Sequence, residues 1–418
     1  MKKKPKVLLC WGYNRNAWVE TFNKINDHFD FTYLYFINKP NDEVAYVKDP
    51  IRYWAEFQSP AQILKELKPE RVVLMATNAV NVIALMNECK RQKIPTYVLQ
   101  HGLFHDYAFY VEQNRLEQER VKKLNYTAKA ISISNADRAH LFLFYLKSLS
   151  VGQLEKGLKF IFKYQLDKRR MLDAEAIRAN QSEFLLADQY IVYTKHNAHI
   201  YVERDGVNPD QMIEVGFPQV DRFFDGSKPV NTGDYYLLID EPHVEAPFFD
   251  SVGIVSAEEM NAFYLKLNEY ALRKGKKLKV KLHPDSYAST FFINHPNIEY
   301  IRETDNIDAL VLNSAGVFGY TSTLLIPSLY YKKCCLFRII NSEFQNTIEK
   351  IGLSPVVDFF EFDLDKVGFE EFVQKPNAKQ KFIDLYLYKA DGMATERIKN
   401  ILLGVKAFRA PKLAYEAS

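Results

Sequence analysis

Four short runs hold the residue types that could do chemistry, and each follows a stretch of apolar residues. They are Gln100-His101-Gly102 with Asp106, Asp240-Glu241-Pro242-His243 with Glu245, His283-Pro284-Asp285, and Tyr320-Thr321-Ser322-Thr323. In the third, the ring of Pro284 fixes the direction of the chain and so aims the imidazole of His283. An imidazole placed this way can donate to a phosphate oxygen and stabilise the charge left on a departing nucleotide. Thr321, Ser322 and Thr323 gather hydroxyls where a strand turns into a helix, whose first N–H groups lack partners, so the run suits an anion. Each feature also has a plainer reading: His283 as a strand-end histidine bonded to a carbonyl, and Thr321 or Ser322 as an ordinary N-cap. Two successive phosphate-compatible strand ends are what a nucleotide monophosphate or diphosphate needs. In the first run, Asp106 is placed either to act as a base or to hold His101, and Gly102 allows close approach of the backbone to a ligand. His101 itself reads either as a site residue or as a histidine bonded across its own turn. Asp240, Glu241 and Glu245 are either acids opposite the phosphate site or solvent-facing loop residues.

Such runs need elements that bring them to one side of the molecule. Residues 7–10, 31–36, 71–75 and 96–99 read as strands, separated by helical patterns near 18–28, 61–67 and 79–91. A second series follows, with strands at 235–239, 277–282, 298–301, 316–320 and 334–337 and helices at 258–273 and 322–331. Strands alternating with helices predict parallel, doubly wound sheets, which bind ligands beyond the carboxyl ends of their strands. Between the series, residues 111–187 read as a helical insertion, after which strand 190–193, helix 195–204 and strand 212–215 close the first unit. Gly- and Pro-containing residues 226–234 read as a linker, which divides the chain into domains 1–230 and 231–418. Residues 372–408 are largely helical in pattern and are expected to pack back onto the first domain.

Composition narrows the function classes. The chain has 418 residues, 47% of them hydrophobic, and 55 Lys+Arg against 52 Asp+Glu give +3, which excludes disorder and a generally basic nucleic-acid binder. No nucleic-acid partner is expected. Four scattered cysteines do not make a disulfide framework. P-loop, GxSxG, HExxH, CxxC and GxGxxG signatures are missing, and Gly12-Tyr13-Asn14-Arg15 stands where the last would fall. His101 and His105 are the one histidine pair at i,i+4, in a loop context, so no metal is expected. The first apolar run ends too early for a signal peptide, and no run approaches the roughly 20 residues of a membrane span. A cytoplasmic chain is the expectation, with the sequons at Asn125 and Asn180 unused.

In this order the motifs resemble those of two-domain GT-B glycosyltransferases that build bacterial surface polysaccharides, in particular CMP-sialic acid and Kdo transferases and CDP-glycerol glycerophosphotransferases. Val98-Leu99-Gln100-His101-Gly102 is similar to the N-domain "QHG" element, and Glu214-Val215-Gly216-Phe217-Pro218-Gln219-Val220-Asp221 to the "VxGxPxxD" that ends that domain. Lys281-Leu282-His283-Pro284 resembles the HP motif, and Tyr320-Thr321-Ser322-Thr323-Leu324-Leu325 the S/T motif. Asp391-Gly392 with Glu396-Arg397-Ile398 is also familiar. The resemblance implies two Rossmann-like domains facing across a cleft: an acceptor-side N-terminal domain with Gln100, His101 and Gly102, and a C-terminal domain that holds a nucleotide-sugar. It implies donor contacts from His283, Pro284, Thr321, Ser322 and Thr323, no metal, and no cofactor besides the nucleotide-sugar donor. Pro327-Ser328 replaces the usual acid of the S/T helix, and Asp240-Glu241-Pro242 lacks the glycine of the sialyltransferase D/E-D/E-G base. The general base is therefore left among Glu241, Asp240, Asp106 and His101.

The insertion adds one local feature. Residues 138–170 hold eight Lys/Arg against Glu155 and Asp167, interleaved with Phe142, Phe144, Tyr145, Phe160, Phe162 and Tyr164. Such a segment is either an interfacial surface for anionic lipid, where a lipid-linked acceptor would be found, or a hairpin packed on the first domain. The expectation is a metal-independent transfer from a CMP-activated acidic sugar to a hydroxyl of a capsule, lipopolysaccharide or other surface glycan. It would take place in the cytoplasm or peripherally on the inner face of the plasma membrane. The alternatives are a CDP-glycerol type glycerophosphotransferase, a sugar-nucleotide epimerase, and a non-catalytic glycan-binding protein.

Overall fold

Short apolar runs between helices assemble into two all-parallel sheets. The chain is seen in a computed structural model that describes residues 3–405 except 42–43, 105, 109, 113–114, 116–134, 225, 227–228, 245–254, 305 and 340–341. The first sheet takes β1 (Lys6–Cys10), β2 (Asp30–Leu34), β3 (Ile51–Arg52), β4 (Arg71–Leu74), β5 (Thr96–Leu99), β6 (Gln189–Val192) and β7 (Met212–Glu214). The second takes β8 (Tyr235–Ile239), β9 (Lys277–Lys281), β10 (Ile298–Ile301), β11 (Gly316–Gly319), β12 (Cys334–Arg338) and β13 (Val356–Asp358). Their orders are β3-β2-β1-β4-β5-β6-β7 and β10-β9-β8-β11-β12-β13, so each has a point where strand order reverses, β1/β4 in one and β8/β11 in the other. Every residue of β5, β8 and β11 is buried, as in sheets covered by helices on both faces. The doubly wound pattern read from the sequence is thus present twice. The pattern missed β3 and β13, edge strands too short to show a period.

Two predicted helices differ from those found. The helix expected at 195–204 is a turn followed by a five-residue π-helix, Tyr201–Asp205. Here the Thr194 hydroxyl accepts from the Asn197 N–H (3.0 Å) and caps the turn, while the Asn197 amide donates to the Phe104 carbonyl (2.9 Å) and ties the turn to the loop after β5. The helix expected from Ser322 begins instead at Leu325, because the Ser322 and Thr323 carbonyls accept from the N–H groups three residues on, Leu325 (2.9 Å) and Ile326 (3.2 Å), and close a tighter turn first.

The insertion contains helices Asn135–Leu146, Leu154–Arg170 and Asp173–Ala179. Phe144, Tyr145 and Tyr164 are buried in the core of the first domain, and Phe142 and Phe160 pack against it. The interfacial reading of the aromatic series therefore fails for five of its six members, and Phe162 alone stands exposed (62%).

Two of the resembling motifs turn out to hold each other. The Asp221 carboxylate accepts from the N–H groups of Ala394 (3.0 Å) and Thr395 (2.7 Å), capping helix Ala394–Leu403. Arg397 on that helix donates to the Val215 carbonyl (2.8 Å) and pairs with Asp391. Ile398 and Leu402 are thereby buried against Val7, Leu9 and Phe22 of the first domain. Helix Ala394–Leu403 packs back onto the first domain, with Val215–Asp221 as its dock, and residues 406–408 of the expected segment lie outside the described residues.

Candidate active site

A cavity of about 380 Å³ opens between the two domains, at the carboxyl ends of β5 and β6 on one side and of β8, β9, β11 and β12 on the other. From the second domain it is lined by Glu241, Pro242, His283, Thr321, Ser322, Thr323 and Glu343. Opposite them, the first domain contributes Gly102, Leu103, Phe104, Asp106, His196 and Asn197. Sequence reasoning about strand ends thus brought most of its candidates to one place.

His283 caps the short turn Pro284–Ser286, and its Nδ1 accepts from the Asp285 N–H (3.2 Å). A ring nitrogen that accepts leaves the proton on the other, so this bond assigns the N–H to Nε2 and orients the ring. Pro284 is exposed at the head of the turn and shapes the chain without lining the cavity.

Glu241 and Thr321 meet across the β8/β11 reversal. The Glu241 carboxylate accepts from the Thr321 N–H (2.9 Å) and lies 3.0 and 3.1 Å from the Thr321 hydroxyl. Thr321, expected to hold the donor, lines the cavity with Ser322 and Thr323, and its N–H and hydroxyl are engaged by Glu241. Asp240 turns away from the cavity: it is buried, and its Oδ2 accepts from the Tyr264 hydroxyl (2.7 Å). Glu245 lies outside the described residues.

The first-domain candidates divide differently. Gln100 is buried, and its side chain accepts from the Tyr193 N–H (2.8 Å) and donates to Asn197 Oδ1 (2.5 Å) and the Gly102 carbonyl (3.0 Å). With all these bonds made it fixes the loop and does not line the cavity. His101 also points elsewhere, edge-on to Trp11 and Trp18 at ring separations of 5.7 and 5.3 Å. Burial there, with the Arg15 charge adding to it, pushes its imidazole down to about 4, so it is neutral near pH 7. Gly102 lines the cavity at φ +75, and a Cβ there would meet nothing within 4 Å. Its glycine answers to the left-handed backbone. Asp106 lines the cleft, and its N–H donates to Glu343 Oε2 across the domains (2.5 Å).

Sequence reading missed His196, Asn197, His199, Glu343, Phe344 and Tyr386, which also line the cavity. The signal was available for the first three and for Glu343, because they follow β6 and β12 as the chosen runs follow β5, β8, β9 and β11. Among the described residues no three His, Cys, Asp or Glu side chains group as a metal ion would need; His105 lies outside them.

No protein-family model matches the chain, and no curated protein matches it in sequence. Solved structures do match in shape. The glycosyltransferase of kitacinnamycin superposes with a TM-score of 0.52 at 10% identity, over 96% of this chain and 99% of its own. A variant of the wall teichoic acid polymerase TagF gives 0.50 at 11% identity, over 96% and 88%. The UDP-GlcNAc 2-epimerase from Methanocaldococcus jannaschii gives 0.49 at 13%, over 96% and 100%. Identities this low speak to the fold, which is the two-domain GT-B fold.

Proposed function

We propose that this chain is a GT-B glycosyltransferase that moves a sugar from a nucleotide-linked donor to a hydroxyl of a surface glycan. The observation that carries the reading is the convergence of His283, Ser322, Thr323 and Glu241 on one interdomain cleft. In this reading the donor phosphate lies against Ser322 and Thr323 and takes the Nε2–H of His283. These donors stabilise the charge that grows as the sugar–phosphate C–O bond breaks. The acceptor oxygen forms the new glycosidic bond and gives its proton to a carboxylate, for which Glu241 is better placed than Asp240 because it lines the cleft. The finer form is a metal-independent transfer from a CMP-activated acidic sugar, with capsule or lipopolysaccharide as acceptor. A thermal-shift panel of CMP, CDP, UDP and GDP, with and without Mg²⁺, tests it. Stabilisation by CMP without metal is expected; preference for UDP, or an absolute need for metal, would count against it. Turnover of CDP-glycerol would select the glycerophosphotransferase instead, and turnover without acceptor the epimerase.

The acceptor side of the proposal includes an anionic membrane surface. Among the described residues no helix is long and apolar enough to cross a membrane. Phe162 and Leu166, both exposed and four residues apart on helix Leu154–Arg170, share a face with Lys159, Arg169 and Arg170. Co-sedimentation with phosphatidylglycerol vesicles, but not phosphatidylcholine ones, is expected, and Phe162→Ser with Leu166→Ser should weaken it; equal recovery with both lipids would remove the membrane from the reading.

A further inference from the structure

The contact between Glu241 and Thr321 has an unusual neighbour. His243 is 3% exposed, and neither of its ring nitrogens has a hydrogen-bond partner among the described residues. Its Nε2 lies 3.8 Å from Glu241 Oε2, beyond hydrogen-bond reach, while its ring stands edge-on to Tyr320, the residue before Thr321. A buried polar group without a partner is costly, and structures retain few of them. One carboxylate therefore lies between two sets of donors. It is engaged by Thr321 and stands a short step from an imidazole that has no partner among the described residues.

We propose that Glu241 occupies the anion site of the Thr321 turn when no ligand is bound, and that an incoming phosphate displaces it onto His243. The exchange needs no change of protonation. A neutral imidazole with its proton on Nε2 donates one hydrogen bond to the displaced carboxylate, and the phosphate takes over the Thr321 N–H and hydroxyl. The exchange also changes the carboxylate as a base. A carboxylate that accepts a backbone N–H is held acidic, and one beside a phosphate anion is made more basic. Glu241 would thus become a better proton acceptor once the donor is seated, with His243 as the positioning residue. The inference rests on the donor site proposed above, and it adds what occupies that site first and where the occupant goes.

Isothermal titration of the full chain with inorganic phosphate and with CMP tests it. An internal competitor lowers the apparent affinity of the ligand it competes with, so Glu241→Ala should bind both probes about 3- to 10-fold more tightly than wild type. A residue that merely holds the ligand gives the opposite sign, so unchanged or weaker binding in Glu241→Ala overturns the proposal. In the second arm, His243→Leu should weaken binding several-fold in the wild-type background, and His243→Gln, whose amide can donate, should restore much of it. In the Glu241→Ala background the same His243→Leu change should have no effect, because no carboxylate remains to be received. An equal loss in both backgrounds would show a purely structural histidine and remove the exchange. If phosphate follows this pattern while CMP binds no variant, the exchange stands and the nucleotide reading falls; if neither probe binds any variant, both fall.

Discussion

The two walls of the cleft are built from the same kind of element and spend their polar groups in opposite ways. On the second-domain wall the strand ends surround the β8/β11 reversal, and His283, Glu241, Ser322 and Thr323 line the cavity. In the first domain the corresponding β1/β4 reversal is filled: Trp11 and Tyr13 after β1 are buried, and a Cβ on Gly12 would run into the Trp18 ring. The cleft instead uses β5 and β6, where Gln100 and Asn197 are bonded to each other and to the loops around them. Parallel sheets offer ligand sites at their reversals, but only a reversal left open can take a ligand. Within the proposed function, the second domain therefore holds the charged part of the ligand, and the first shapes the space opposite.

The sharpest way to break this comparison is to remove one group from each wall. Within the proposed function, His283→Ala should lower transfer by about 10²–10³-fold, as loss of a single donor to a developing charge commonly does, with thermal stability little changed. Turnover at the wild-type rate in that variant would move the chemistry off the second wall. Gln100→Ala should do the reverse. It leaves the buried Tyr193 N–H without its partner and takes one of two donors from Asn197 Oδ1, which costs about 1–3 kcal/mol. Chemical denaturation should show that loss, while CMP affinity of the folded variant stays near wild type. A Gln100→Ala protein as stable as wild type but unable to bind would make Gln100 a ligand contact and erase the difference between the walls.

How much of this was legible depended on whether a signal was local. Strand ends are local, and the rule that ligands sit beyond them picks out His283, Glu241, Ser322 and Thr323, which line the cavity. Direction is not local. Asp240 and Glu241 are neighbours, yet one side chain is bonded to Tyr264 in the core and the other to Thr321 in the cleft. Gln100 and His101 read as site residues by type, but Tyr193, Asn197, Trp11 and Trp18, which decide their orientation, come from other elements. The aromatic series of the insertion was ambiguous for the same reason, since an apolar stripe made for a core and one made for a lipid surface have the same period.

His101 offers the smallest and most specific test, through the pH dependence of stability. Its imidazole is pushed down to about 4 by burial between Trp11 and Trp18, with Arg15 contributing in the same direction, whereas in the unfolded chain it titrates near 6.5. Above pH 6.5 the residue is neutral in both states and folding is unaffected by its proton. As the pH falls from 6.5 toward 4, the unfolded chain takes up a proton that the folded protein excludes, so stability declines across that window and His101 adds no further loss below it. His101→Phe keeps an aromatic ring against the two tryptophans and removes the titration. The expected outcome is an unfolding free energy that falls less steeply between pH 6.5 and 4 in His101→Phe than in wild type. His243, pushed down to about 3 by its own burial, should supply part of the slope that remains. Identical slopes in the two proteins would place His101 in contact with solvent and return it to the list of groups able to face a ligand.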